Sequence, residues 1–188
     1  SAVGTDTVSY GVVRSAQDTG NLGYKLALDG GVTVSMEAAR NTAAGGTDNT
    51  YGVTYTGIDG MTLALGIGST ATGGTAEVAS ETAGIKYATG ALTFGLQLTK
   101  VETDGTTEDE DGTHMGVTYN VNDDFTVGYI RQETDFSGSS SDEEHSGIQA
   151  SYSMGSISFS GRISKVDNMG GSATASDEDK HITMSIAF

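Results

Sequence analysis

Residues 181–188 read HITMSIAF. Ile182, Met184, Ile186 and Phe188 alternate with small or polar residues up to the terminal Phe188. Period-two alternation belongs to a β-strand with one apolar and one polar face. In a chain of net charge −16 that is only 36% hydrophobic, an apolar stripe held to the last residue asks what it touches.

The same alternation recurs upstream. It runs through Val8, Tyr10, Val12; Leu22 to Leu28; Val32 to Ala38; Tyr51, Val53, Tyr55; Met61 to Ile67; and Ala83, Ile85, Tyr87. It continues through Leu92 to Leu98; Met115, Val117, Tyr119; Phe125, Val127, Tyr129; Ile148, Ala150, Tyr152; and Ile157, Phe159, Ile163. With the terminal stretch this predicts twelve strands, an all-β chain, and a single domain over residues 1–188. At 188/12, or about 16 residues for each strand and its connection, spanning strands of ~9–11 residues fit.

Composition removes other classes. Cys, Pro and Trp are absent and Gly numbers 28. Without cysteine there are no disulfides, thiol chemistry or cysteine metal sites. No run approaches the roughly 20 apolar residues of a spanning helix. Excess acid repels phosphate and argues against nucleic acid as a partner. The residues after Ser1 do not read as a secretory leader, as expected of a mature form or a piece of a longer chain.

Connections alternate in kind. Tight links are expected at Asp29-Gly30-Gly31, Gly57-Ile58-Asp59, Thr89-Gly90, Asn122-Asp123 and Met154-Gly155. Long polar links are expected at about 41–50, 69–81, 102–112, 134–147 and 167–180. Two-residue loops at Thr89-Gly90 and Met154-Gly155 pair Tyr87 with Leu92 and Tyr152 with Ile157; a three-residue loop pairs Leu28 with Val32. All these pairs keep apolar residues on one face, so an antiparallel up-and-down meander is expected.

A soluble barrel would turn its apolar face inward and leave a Ser, Thr, Gly and Ala surface in water. An outer-membrane barrel turns that face to lipid and lines an aqueous lumen with the other, with short turns at one end and longer loops at the other. Charge favours the second. Arg14, Arg40, Lys100, Arg131, Lys165 and Lys180 share the parity of the apolar face and sit at the long-loop ends, where lipopolysaccharide phosphates would lie. Strand ends that are simply wet are the plain alternative. Lys25, Lys86 and Arg162 fall mid-strand on the other parity; facing lipid they would cost ~2–4 kcal/mol each. They are expected to line the pore with Glu37, Gln97 and Gln149. Tyr55, Tyr87, Tyr119, Phe125, Tyr152, Phe159 and Phe188 cluster on the apolar parity near the tight turns, as an aromatic girdle at the periplasmic interface would.

Acid gathers in the expected long loops, from Glu102 to Asp111, Asp135 to Glu144, and Asp177 to Asp179. Such a mouth concentrates cations and predicts mild cation selectivity. Divalent cations can bridge those carboxylates weakly, but no loop has the spacing of a calcium-binding motif; no other metal or cofactor is expected. His114, His145 and His181 have neither metal-ligand spacing nor a Gly-x-Ser-x-Gly partner, so no catalytic site is expected.

The hairpins YGVTYTGIDGMTLALGIG, AGIKYATGALTFGLQLTKVE, HMGVTYNVNDDFTVGYIRQE and SGIQASYSMGSISFSGRISK, followed by the lone HITMSIAF, resemble the general diffusion porins of Gram-negative bacteria. The resemblance is to the Gly-rich, acidic, sixteen-stranded type and covers about residues 20–188, with residues 1–20 unlike that family's first strand. The terminal strand resembles the aromatic-ended signature by which such barrels are recognised for assembly. The resemblance implies passive diffusion of small hydrophilic solutes and ions, a homotrimer and an outer-membrane setting. No long link here corresponds to the family's constriction loop. The chain is either the C-terminal portion of a sixteen-stranded barrel, which the resemblance favours, or a self-contained twelve-stranded one. The other class to weigh is a non-conducting anchor, an adhesin or a secreted β-repeat array. Heat-modifiable gel migration, typical of closed barrels, would separate a barrel from a secreted array.

Overall fold

The structure, a computed structural model, describes residues 21–41, 44–73, 76–105, 109–139 and 141–186. These form one antiparallel sheet of eleven strands in chain order. They are β1 (Asn21–Leu28), β2 (Val32–Asn41), β3 (Gly46–Tyr55), β4 (Met61–Gly73), β5 (Ala76–Thr89) and β6 (Leu92–Thr103), continued by β7 (Glu110–Asn120), β8 (Phe125–Phe136), β9 (Glu143–Met154), β10 (Ile157–Asp167) and β11 (Asp177–Ile186). Among the described residues the sheet is open, with β1 and β11 at its edges. The expected first strand at Val8–Val12, Arg14 and Phe188 lie outside the described residues.

Burial is inverted relative to a water-soluble protein. The only buried hydrophobic side chains among the described residues are Ala39 and Ala64, while Leu65 is 61%, Ile148 63% and Ile182 86% exposed. The buried polar residues Asp48, Ser80, Gln97 and Thr118 all lie on the opposite face. Equal exposure would mark a flat sheet; this asymmetry means the sheet curls toward its polar face. Crowding there is relieved by glycine: Gly52 stands opposite Gly66, and Gly95 opposite Gly116.

Register departs from expectation in one consistent way. The hairpin loops are Gly90-Ala91 and Gly155-Ser156, so Tyr87 pairs with Phe94 and Tyr152 with Phe159. Gly90 (φ 56) and Gly155 (φ 60) take the first turn position, the positive φ that a type II′ hairpin requires there. Leu28 pairs with Val32 as expected. The links 56–60 and 121–124 are longer than expected, five and four residues.

The long polar links are mostly strand. What remains between strands is 42–45, 74–75, 104–109, 137–142 and 168–176, the last with a 3-10 turn at Met169–Gly171. Polar sequence was expected to mean loop, but a backbone ladder pairs whatever side chains it carries. Glu102, Glu110, Asp111, Asp135, Glu143, Glu144, Asp177, Glu178 and Asp179 are therefore strand residues, which corrects the acidic-loop expectation. His145 and His181 likewise belong to β9 and β11.

Candidate functional site: the polar face

The polar face is built in cross-strand rows. Lys25 stands opposite Ser35, with Glu37 one step diagonal, opposite Gly23. Lys86 stands between Thr62 and Gly95, with Gly116 beyond. Gln97, His114, Gln132 and His145 occupy one row across β6 to β9. Gln97 Nε2 donates out of the row to Thr82 Oγ1 on β5 at 2.9 Å, and within it His145 Nδ1 lies 3.1 Å from Gln132 Oε1. His114 Nε2 lies 3.3 Å from Thr99 Oγ1. It folds over Gly112, where a Cβ would sit 2.9 Å from that nitrogen.

A second row joins Gln149, Arg162 and His181 on β9 to β11. Arg162 Nη2 donates to Asp179 Oδ2 at 2.8 Å, so this basic group does not face the interior as a bare charge. Toward the short links lie two rows of hydroxyls, Ser151–Ser160–Thr183 and Ser153–Ser158–Ser185.

Pairing puts three basic residues (Lys25, Lys86, Arg162) and six acidic ones (Glu37, Asp48, Glu110, Glu143, Asp177, Asp179) on this face among the described residues. The six expected pore residues all fall on it. His114 lies there too; its row with Gln132 and His145, and the acids beyond Glu37, go beyond what the sequence led one to expect. Parity was the signal; the row appears only when register is known across the links 104–109 and 137–142.

Acid at the long-link end has structural work. Asp48 Oδ1 accepts from Ala71 N–H at 2.9 Å and from Asn41 Nδ2 at 3.4 Å. Asp104 Oδ2 accepts from Glu77 N–H at 3.3 Å, and Glu143 Oε2 from Gly170 N–H at 2.8 Å. These carboxylates staple neighbouring links, and among the described residues no three acidic or histidine groups gather in a metal-holding cluster.

On the apolar face, Lys100, Arg131, Lys165 and Lys180 each pair with an acid two positions along their own strand. The distances are 2.6 Å to Glu102, 3.4 Å to Glu133, 2.6 Å to Asp167 and 2.6 Å to Glu178. Arg131 also reaches Glu144 at 3.3 Å. Period two explains this, because residues i and i+2 share a face. Each pair is open to solvent and therefore contributes little to stability. Arg40 shares the face, opposite Thr47. The expected row of basic side chains is thus a mixed-charge belt. Tyr55, Tyr87, Tyr119, Phe125, Tyr152 and Phe159 also lie on this face. Tyr87 packs edge-on against Phe94 at 5.7 Å and Phe125 against Tyr152 at 6.5 Å.

Three solved structures similar to this one share its fold. An anion-selective porin from Comamonas acidovorans is 17% identical with a TM-score of 0.71; 89% of this chain covers 59% of that one. A porin structure refined at 1.8 Å resolution is 18% identical with a TM-score of 0.73, the cover being 88% and 60%. The NanC porin is 17% identical with a TM-score of 0.54, the cover being 89% and 92%. The chain thus spans about three-fifths of the first two. No curated protein matches. The model of the Gram-negative porins matches residues 2–171, so residues 2–20, set apart in the sequence, fall within the match. With an apolar face turned outward, a polar face curled inward and a family match over most of its length, this outer-membrane chain belongs to the Gram-negative porin family.

Proposed function

We propose that the chain forms the wall of a water-filled outer-membrane channel through which small hydrophilic solutes and ions diffuse passively, with a mild preference for cations. One observation carries the proposal: large apolar side chains are exposed on one face while polar and small ones crowd the other. Such a sheet is stable where its outer face meets hydrocarbon and its inner face meets water. Lys25, Glu37, Lys86, Gln97, Gln149 and Arg162 line the pore. The ion-paired belt of Lys100, Arg131, Lys165 and Lys180, with Arg40 and Arg14, faces lipopolysaccharide headgroups. The aromatics near the short links, with Phe188, form the periplasmic girdle, and the channel works as a homotrimer. No chemical step is involved.

Six acids against three bases on the polar face among the described residues, and a net charge of −16, support the cation preference. The anion-selective relative shares the fold at 17% identity, which leaves the wall charges free to differ.

Planar-bilayer recording across a KCl gradient tests this. The expected result is stepwise conductance, in threes for a trimer, with a cation-selective reversal potential. Selectivity should fade near 1 M KCl, where the screening length falls to about 3 Å. Combining Glu110→Gln with Glu143→Gln should shift the reversal potential toward zero. A silent bilayer from folded protein would overturn the channel in favour of an anchoring barrel; an anion-selective potential would overturn the preference alone.

A further inference from the structure

The polar face is uneven. Over β7 to β11 it forms a recess of about 820 Å³ near the short links, ample for a hexose-sized molecule. At its upper rim stand Gln149, Arg162 and His181, adjacent in one cross-strand row. Directly opposed Cβ atoms lie about 5 Å apart, so the three residues span about 10 Å along the row. Below them the two hydroxyl rows Ser151–Ser160–Thr183 and Ser153–Ser158–Ser185 make up the floor.

We infer that this recess is a binding site for a singly charged, polyhydroxylated carboxylate such as a uronic or aldonic acid. The inference rests on the polar face being the wall of a water-filled lumen. A guanidinium has five N–H donors in a planar fork suited to a carboxylate, and Asp179 engages it through Nη2. Asp179 offsets that charge, so a carboxylate is held by the fork's remaining N–H donors rather than by a net positive field, and a phosphate dianion is disfavoured. The chain's net charge of −16 adds to the discrimination. His181 Nδ1 lies 3.1 Å from Thr183 Oγ1, which leaves Nε2 for the ligand. Gln149 lies over Gly128, where a Cβ would come within 3.1 Å of its Nε2. That bare position gives the amide room in the row. Hydroxyls on the floor both donate and accept, as a polyol does. Charge at one end and hydroxyls at the other match the two ends of a sugar acid.

The test is calorimetric titration of the full chain, folded in detergent micelles, with D-galacturonate, D-galactose and acetate. Folding is checked by heat-modifiable migration. Galacturonate should bind at least tenfold more tightly than galactose, which lacks the charge, or acetate, which lacks the hydroxyls. Arg162→Gln should weaken galacturonate about tenfold and leave galactose unchanged. Should that variant not fold, Arg162→Lys keeps the charge but loses the fork, and should weaken binding three- to fivefold. Equal binding of the three ligands, or unchanged affinity in the folded Arg162 variant, overturns the site. The same preparation in a bilayer separates the two proposals. Conductance without galacturonate binding removes the site and keeps the channel; binding without conductance does the reverse.

Discussion

Gly31→Val should lower the folding free energy by about 3 kcal/mol, while Gly30→Ala, one residue earlier, should cost about 1–2 kcal/mol. Both glycines sit in the β1–β2 turn with left-handed φ values, 81° at Gly30 and 83° at Gly31. An L-residue there loses roughly 1–2 kcal/mol from contact between its Cβ and the backbone. The two positions differ in surroundings. A Cβ on Gly30 meets nothing within 4 Å, whereas one on Gly31 would lie 2.5 Å from Gly57 N and 2.8 Å from Gly57 Cα. Those are backbone atoms of the next turn, and they cannot swing aside as a side-chain tip would. Overpacking of this kind adds about 1–3 kcal/mol. The contact also has a bonding partner, because Thr56 N–H donates to Gly31 O at 2.8 Å. Similar bonds tie Ala88 to Gly60, Asn120 to Ala91 and Ser153 to Asp124, lacing the short-link rim from turn to turn. Urea unfolding in lipid vesicles, followed by far-UV circular dichroism, reads the difference. Equal losses in the two variants would mean that the turns do not touch.

Fold class and face were legible because a strand alternates sides whatever its neighbours do. Parity alone puts Leu65 on one face and Gln97 on the other. Register was legible only modulo two. Sliding a two-residue loop by one position, from Thr89-Gly90 to Gly90-Ala91, moves the partner of Tyr87 from Leu92 to Phe94 and leaves the faces unchanged. Apolar patterning therefore cannot detect the error, while the glycine that supplies positive φ can. Strand ends were less legible. Above the apolar band both faces carry polar residues, so the alternation disappears while the hydrogen-bond ladder runs on through Glu110 and Asp111 or Glu143 and Glu144. The ion pairs of the belt were present in the sequence as KVE, RQE, KVD and EDK, each a base and an acid of one parity. Taken one sign at a time they suggested bare cations. The Gln97–His114–Gln132–His145 row was out of reach, because its register passes through two links with no turn signature.

Leu65→Lys should cost about 2–4 kcal/mol in vesicles, and Thr54→Lys less than about 1 kcal/mol. Leu65 lies mid-band on the apolar face of β4, 61% exposed, between Val53 and Ala83. Thr54 lies on the polar face of the neighbouring strand, opposite Thr33 and Ala64. Were this sheet bathed in water on both sides, a lysine at so open a position as 65 would be close to neutral, within about 0.5 kcal/mol, because nothing is desolvated. A large penalty arises only if the space beside Leu65 is hydrocarbon, where an ammonium loses its hydration and gains no partner. At position 54 the ammonium reaches lumen water and keeps its hydration. Depth adds a second check, since the penalty falls to about 0–1 kcal/mol near the interfaces. Leu28, beside the β1–β2 turn at the short-link rim, should accept lysine far more cheaply than Leu65. Reversible urea unfolding of the three variants in vesicles measures all of this. A cost below about 1 kcal/mol at Leu65 would mean that its face does not meet lipid, and the channel reading would fall with it.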